Sequence, residues 1–255
     1  MYPVLFHLGP LTIHAYGVLL ALGAGLGLLL LGRLARSSGL DPERLTNLAL
    51  WVLLAALAGA RLMFVLLEPA GFLRAPWRFF FIWQGGLVFY GGVVAGLAVG
   101  WALARRWGIP LLAMMDCFAP PLALGQVFGR LGCFMAGCCY GRECDLPWAV
   151  TFTHPQTLAP PGLPLHPTQL YSAGALLAIF ALLMWLWPRR RAAGQVFFTY
   201  GLLHGLARVV IEQFRGDWRG PSLLWGLTPT ALTGLGLAAG CAVGLALLHR
   251  RGRRT

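Results

Sequence analysis

Long apolar runs of similar length follow one another along this chain, separated by short polar joints. Measured against the roughly 20 residues a helix needs to cross a bilayer, seven runs qualify, at about 14–32, 46–67, 86–104, 111–131, 169–187, 195–214 and 224–248. The pattern predicts an all-α, polytopic membrane protein with about seven transmembrane helices. No repeat of fixed short period and no soluble second domain is visible, so residues 1–255 read as a single integral membrane domain. The fourth and sixth runs carry the most polar residues. A polar, cysteine-rich loop at about 132–168 joins the fourth to the fifth.

Composition sharpens this reading. Charged residues make up 11% of the chain and hydrophobic ones 58%, with a mean hydropathy of +0.71. A soluble domain carries about 25% charged residues. The formal net charge of +12 would suit nucleic acid if the basic residues shared one face. They lie between the apolar runs instead, where topology and anionic lipid explain them. Taking the joints alternately, Arg33, Arg36, Arg44, Arg105, Arg106, Arg189, Arg190, Arg191, Arg250, Arg251, Arg253 and Arg254 fall on one side. Arg74, Arg78, Arg130, Arg142, Arg215 and Arg219 fall on the other. The richer side is expected to be cytoplasmic, which puts the N-terminus and the 132–168 loop outside and the C-terminus inside. Met1–Gly9 lacks the basic start and small-residue cleavage site of a signal peptide, so the first helix is expected to stay on.

One stretch breaks the apolar pattern. Residues 125–145 read GQVFGRLGCFMAGCCYGRECD. Its glycines, with Arg130 and Arg142, predict irregular backbone, which is tolerated near membrane depth only where protein buries it or a cavity takes it up. An intramembrane arginine is expensive and marks function by default. The stretch is therefore expected to form one wall of a site for an anionic ligand.

The sixth run supplies a second constellation. His204, Arg208, Glu212 and Arg215 are spaced 4, 4 and 3, which predicts one helical stripe facing the protein interior. Arg208 and Glu212 can pair, leaving Arg215 over near the outer end. Asp116, within the fourth run, needs a partner; Arg130, or a backbone turn released by Pro120 and Pro121, is the natural candidate. Arg61 either snorkels to the surface or points inward. His14 and Tyr16 stand at the mouth of the first run, as interfacial anchors or as site residues. The glycines around Tyr90 allow close approach of helices, with Tyr90 itself a packing tyrosine or a reactive one. The aromatic joint 68–85, with Trp77, Phe79, Phe80, Phe81 and Trp83, predicts an interfacial belt or a short helix in the headgroup layer. Residues 166–171, HPTQLY, form a polar cluster at the mouth of the fifth run.

Cys133, Cys138, Cys139 and Cys144 are spaced C-x4-CC-x4-C, while Cys117 and Cys241 sit in apolar runs. Without a C-x2-C pair, the usual zinc-finger and ferredoxin spacings are missing. An oxidising exterior would favour one or two disulfides in this loop.

Taken in order, these motifs resemble the prolipoprotein diacylglyceryl transferases of bacterial inner membranes, over nearly the whole length. The likeness runs through His14-Ala-Tyr-Gly17, Gly59-Ala-Arg61, Gly85-Gly-Leu-Val-Phe-Tyr-Gly-Gly92, Asp116, and Gly129-Arg-Leu-Gly132 with Phe134 and Gly141. It continues through His166-Pro-Thr-Gln-Leu-Tyr171 to Arg208-Val-Val-Ile-Glu-Gln-Phe-Arg215. The resemblance implies a multi-pass inner-membrane enzyme. Such an enzyme moves the diacylglyceryl group of phosphatidylglycerol onto the lipobox cysteine thiol of a prolipoprotein signal peptide, and glycerol phosphate leaves. It implies Arg130 as the phospholipid-binding arginine, Arg208 as an essential residue, and no metal or organic cofactor. Arg215, Glu212, Tyr16, His14, Gly141, Gln169 and Tyr171 become candidates for substrate binding. Phosphatidylglycerol, the prolipoprotein and membrane lipids are the expected partners, and nucleic acid is not. Two positions depart from a familiar pattern: Tyr90-Gly-Gly stands where many members have His-Gly-Gly. Cys133-Phe-Met-Ala-Gly-Cys138 stands where many have Asn-Phe-x-Asn-x-Glu.

The residues themselves agree with such chemistry. Breaking a C–O bond to a phosphate leaving group needs charge stabilised on phosphate oxygens, which the arginine fork does in a bidentate way while staying charged when buried. The attacking thiol, with a free pKa near 8.5, must become thiolate. Arg130 and Arg208 are expected to hold the phosphate, with Tyr90 or a nearby histidine taking the thiol proton. Two other classes compete. An anion transporter would favour repeat symmetry and paired broken helices, which are not visible here; a membrane thiol oxidoreductase would act through Cys138 and Cys139. Replacing Cys133, Cys138, Cys139 and Cys144 together with serine separates the readings. An oxidoreductase loses all turnover, and a transferase assayed for glycerol phosphate release retains some.

Overall fold

The structure, a computed structural model, describes residues 2–8, 11–69, 72, 76–81, 86–217 and 227–252. Arg74, Trp83, Gly85, Arg219, Arg253 and Arg254 lie outside the described residues, as do the side chains of Arg78 and Arg251. Seven long α-helices appear among the described residues: α1 Ala15–Ser37, α2 Pro42–Leu67, α3 Phe89–Arg106, α4 Leu111–Ala136, α5 Thr168–Leu186, α6 Gln195–Glu212 and α7 Pro229–Gly252. Each falls on a predicted apolar run. Five of them, α1, α2, α4, α5 and α7, are long and apolar enough to cross a membrane. Among the described residues, the strands form two small antiparallel pairs, β1 Val4–Leu8 with β2 Leu11–His14 and β3 Val150–Thr151 with β4 Pro164–Leu165. A pattern scaled to membrane spans has no sensitivity to strands this short, although Val4, Phe6, Thr12 and Ile13 are good strand formers.

The backbone resolves into two compact units, Leu31–Met114 and Met1–Leu30 with Met115–Thr255. Within Leu31–Met114, Asp41 starts α2 by accepting the backbone N–H groups of Glu43 and Arg44, with Pro42 in the first turn, where its missing N–H costs nothing. Helices α2 and α3 meet backbone to backbone. A Cβ at Gly59 would stand 2.6 Å from the Gly91 carbonyl oxygen, and one at Gly92 2.9 Å from that of Ala56. The close approach expected of the glycines around Tyr90 is realised here. Arg61 points inward. It is 4% exposed, donates to the carbonyls of Phe79 at 3.0 Å and Gly86 at 3.1 Å, and lies over the rings of Phe64 and Phe72. It thereby ties α2 to the short 3-10 helix Pro76–Phe80 and to Gly86, just before α3.

In the other unit, α4 runs unbroken past Pro120 and Pro121 to Ala136. This corrects the expectation of irregular backbone over 125–145: its first half is helix, and the irregular path begins only at Gly137. Glycine is common in membrane helices because it lets neighbours approach, so its density alone did not mark a break. Asp116 is also not the partner of Arg130. Its carboxylate accepts the backbone N–H of Gly194 at 2.7 Å and of Phe197 at 2.8 Å. Gly194 has no side chain to cap α6, and Asp116 supplies the cap from another helix, satisfying orphan N–H groups and meeting the positive end of the dipole.

Helices α6 and α7 pack as closely as α2 and α3 do. A Cβ at Gly205 would stand 2.5 Å from the Gly234 carbonyl oxygen and 3.0 Å from the Ala238 backbone nitrogen. Gly205→Val is therefore expected to destabilise the protein by about 1–3 kcal/mol or more through overpacking. The measurement is the midpoint of chemical unfolding in micelles, with Gly240→Val, where a Cβ meets nothing, as the neutral control.

Candidate functional site

The candidate site belongs to the unit Met1–Leu30 with Met115–Thr255 and is built on the ends of α4, α5 and α6. On α4, Arg130 is half-buried and, among the described residues, has no hydrogen-bond or salt-bridge partner. Tyr16, His204, Arg208 and Cys139 lie within electrostatic reach of its charge. The Tyr16 ring lies over Gly132, where a Cβ would meet Tyr16 Cδ2 at 2.9 Å.

Helix α6 presents His204, Arg208 and Glu212 at intervals of one turn, as the spacing predicts. Arg208 Nη2 is 2.9 Å from Glu212 Oε2, and both side chains are largely buried. The Thr228 hydroxyl donates to Glu212 Oε1 at 2.8 Å, and the Thr230 hydroxyl donates to the same oxygen. The His204 ring stacks on Tyr200, whose hydroxyl donates to Gln126 on α4 at 2.9 Å. The stripe ends there. Helix α6 stops at Glu212, and Arg215 lies beyond it, bridged to Gly141 through the backbone.

Arg215 is also not left over, which corrects the sequence expectation. It pairs bidentately with Asp217, Nε to Oδ1 at 2.8 Å and Nη2 to Oδ2 at 2.7 Å, and its side chain is 2% exposed. Only Nη1 is buried without a hydrogen-bond partner. Arg130 and Arg215 both act electrostatically on Arg208. Glu212 and Asp217 neutralise two of these three guanidiniums.

Gly141 is where three segments cross. Its N–H donates to the His166 carbonyl at 3.0 Å, that of Arg142 to Phe214 at 2.9 Å, and that of Gly216 to Tyr140 at 3.2 Å. A Cβ on Gly141 would stand 2.5 Å from the His166 oxygen and 2.8 Å from that of Phe214, so no other residue fits. Gln169 and Tyr171 hold this crossing together. Gln169, fully buried, donates from Nε2 to the Cys138 carbonyl at 2.8 Å, and Thr168 donates to the Cys139 carbonyl at 2.7 Å. The Tyr171 hydroxyl accepts from Trp148 Nε1 at 2.8 Å and meets His166 Nδ1 at 3.1 Å.

The cysteines stand as thiols, and the Sγ atoms of Cys133, Cys138 and Cys139 lie within 4.8 Å of one another. Hydrogen bonds from Cys133 and Cys138, then the Arg215 and Arg130 guanidiniums, hold the Cys139 thiol far below the usual range. Cys138, hydrogen-bonded to Cys133 and Cys139, is pushed far up.

Two candidates stand elsewhere. His14 ends β2, exposed and in register with Val4. Tyr90 lies in the Leu31–Met114 unit, in the first turn of α3, 61% exposed and with its ring against Phe89. Sequence reasoning missed Asp217, Thr228, Thr230 and Gln126. Asp217, two residues beyond Arg215, could have been found as the nearest acid; the two threonines carry no signal until α7 is folded beside α6.

Known proteins add to this. The sequence model of the prolipoprotein diacylglyceryl transferase family matches residues 3–248. The chain is similar to the phosphatidylglycerol–prolipoprotein diacylglyceryl transferase of Clostridium tetani, 35% identical over 86% of this chain and 88% of that one. It is also similar to the proteins of the same name from Gloeobacter violaceus, 37% identical over 99% and 94%, and Bordetella bronchiseptica, 36% identical over 92% and 93%.

Removing one member of a buried ion pair strands the other. Glu212→Ala is expected to cost about 3–5 kcal/mol, read as a lower unfolding midpoint in micelles. Glu212→Gln is expected to cost less, because it keeps an acceptor for the Thr228 and Thr230 hydroxyls.

Proposed function

Since the chain belongs to the prolipoprotein diacylglyceryl transferase family, we infer its reaction and machinery from that membership together with the charges of the site. The protein is a membrane transferase of lipoprotein biosynthesis, and its substrates are phosphatidylglycerol and prolipoproteins. The acceptor is the thiol of the lipobox cysteine. All seven helices cross the bacterial inner membrane, with the N-terminus outside and the C-terminus inside.

The observation that carries this reading is Arg130. Of the three guanidiniums, Arg208 and Arg215 are paired with carboxylates, which leaves Arg130 to meet the anionic phosphodiester of phosphatidylglycerol. Arg130 takes that phosphate through its fork. Arg215 Nη1, buried without a partner, has a donor to spare for the same anion. Arg208, held by Glu212, keeps its charge close by as negative charge grows on the leaving phosphate.

The thiol gives up its proton, its sulfur forms a C–S bond to the terminal glyceryl carbon, and the C–O bond to phosphate breaks. The electron pair stays on the phosphate oxygen, and glycerol phosphate leaves. Two side chains can take the proton: Tyr90, and His204, which stands among the guanidiniums on α6. Tyr16, packed against Gly132 two residues from Arg130, meets the headgroup or the acceptor peptide in this reading. Gly141, Gln169 and Tyr171 contribute by fixing the loop.

Purified protein, phosphatidylglycerol and a lipobox peptide test this through glycerol phosphate release. Arg130→Ala is expected to lower turnover by about a hundredfold to a thousandfold, and Arg130→Lys by less, because it keeps the charge and loses the fork. Release that does not need the peptide thiol, or that Arg130→Ala leaves unchanged, would overturn the reading. In the same assay, full turnover by Tyr90→Phe removes Tyr90 as the base, and full turnover by His204→Gln removes His204.

A further inference from the structure

A second kind of chemistry sits at the C-terminal end of α4. We infer that Cys133, Cys138 and Cys139 form a three-thiolate site for Zn(II), whose fourth coordination position takes the incoming substrate thiol. The thiol half of this inference rests on the transferase reading; the metal half does not.

The fold makes the site with ordinary helix-capping geometry. Gly137, at φ 76°, ends α4. The Cys138 N–H donates to the Cys133 carbonyl at 3.1 Å, and the Gly137 N–H donates to that of Phe134 at 3.3 Å. These two bonds define a cap that folds the second residue past the helix end back over the residue five positions earlier. An apolar pair commonly occupies those two places; here both are cysteines. Cys139 follows at φ 62°, in the left-handed region that costs a residue with a Cβ about 1 kcal/mol or more. Buried Thr168 and Gln169 hold it there through the carbonyls of Cys139 and Cys138. The turn thus brings a third sulfur to the first two.

With Zn–S bonds of about 2.3 Å, tetrahedral ligands stand about 3.8 Å apart. Three sulfurs within 4.8 Å of one another reach that with shifts of less than about 1 Å. Among the described residues no fourth histidine, cysteine or carboxylate joins the group. That is the donor set of a zinc site with an exchangeable position. Three thiolates and Zn(II) carry one net negative charge, and the guanidiniums of Arg130 and Arg215 both act on this cluster. A thiol that coordinates zinc is deprotonated and gives its proton to the base or to water. Its sulfur then forms the C–S bond as glycerol phosphate departs with the C–O electron pair. The neutral thioether is a poor ligand and leaves. No atom changes oxidation state.

The test uses the full-length protein in micelles, metal-stripped and reloaded with Co(II) as a spectroscopic stand-in. The expected result is one Co(II) per chain with thiolate-to-cobalt absorption, lost in Cys133→Ser, Cys138→Ser and Cys139→Ser and kept in Cys144→Ser. Adding a lipobox peptide should intensify that absorption, and the same peptide with serine for cysteine should not. A folded wild-type protein that binds no Co(II) or Zn(II) overturns the site without reference to any variant. Bound cobalt with a spectrum indifferent to the thiol peptide overturns the fourth-position assignment. In the release assay the triple serine variant should lose about thirtyfold at pH 7, since a free thiol of pKa about 8.5 is only about 3% ionised there. Full turnover by that variant sinks the inference and leaves the transferase intact; no turnover by the zinc-loaded wild type would instead sink the transferase reading.

Discussion

Everything in the site answers one constraint: guanidiniums held among apolar helices must be neutralised or stay costly. An isolated charge taken from water into protein costs several kcal/mol even after relaxation. Arg208 and Arg215 are neutralised within the protein, by Glu212 and Asp217, and each carboxylate is itself fixed by neighbours or by bidentate geometry. Arg130 has neither. Its two neighbours are already matched, so among the described residues Arg130 is the guanidinium of the three without a carboxylate partner.

The scaffold that holds this arrangement relies on backbone contacts more than on large side chains. Glycine at Gly205 and Gly234 brings α6 and α7 together, and that contact carries Thr228 and Thr230 to Glu212. Asp116 caps α6 at its start, which sets the rotational register of His204, Arg208 and Glu212 along the same helix. At the other end of α4, the crossing around Gly141 ties the chain after the helix to the chain after α6, so Arg215 is placed by backbone hydrogen bonds rather than by its own side chain. Rigid supports of this kind are what a site needs when geometry must hold to a fraction of an ångström.

Much of this was legible in the sequence, and the limits have physical causes. Apolar runs of spanning length marked all seven helices, because that signal is summed over many residues. The His204, Arg208 and Glu212 stripe was legible because helical periodicity is local. Arg215 fell off it because a helix end is decided by its cap. Asp116 was recognised as needing a partner, yet its partner lies 78 residues on and is a backbone N–H, which sequence cannot point to. The 125–136 segment reads as irregular because glycine marks both loops and tightly packed membrane helices. The cysteine cluster was hidden for a related reason. C-x4-C is no familiar metal spacing, and only the cap at Gly137 converts it into contact.

One difficulty belongs to the reaction itself, and it joins the two halves of the site. A thiolate must approach an ester that already carries a negative charge. Two like charges 4 Å apart repel by about 4 kcal/mol at an effective dielectric constant near 20, roughly a thousandfold in rate. Guanidiniums on the phosphate side relieve part of this. They cannot also sit behind the sulfur, because the carbon under attack lies between the two. The turn after α4 gathers three sulfurs within electrostatic reach of Arg130 and Arg215. Zinc held there would deprotonate and orient the nucleophile; with four thiolates around it the centre stays anionic, so the neighbouring guanidiniums of Arg130 and Arg215, and not the zinc, must offset the repulsion.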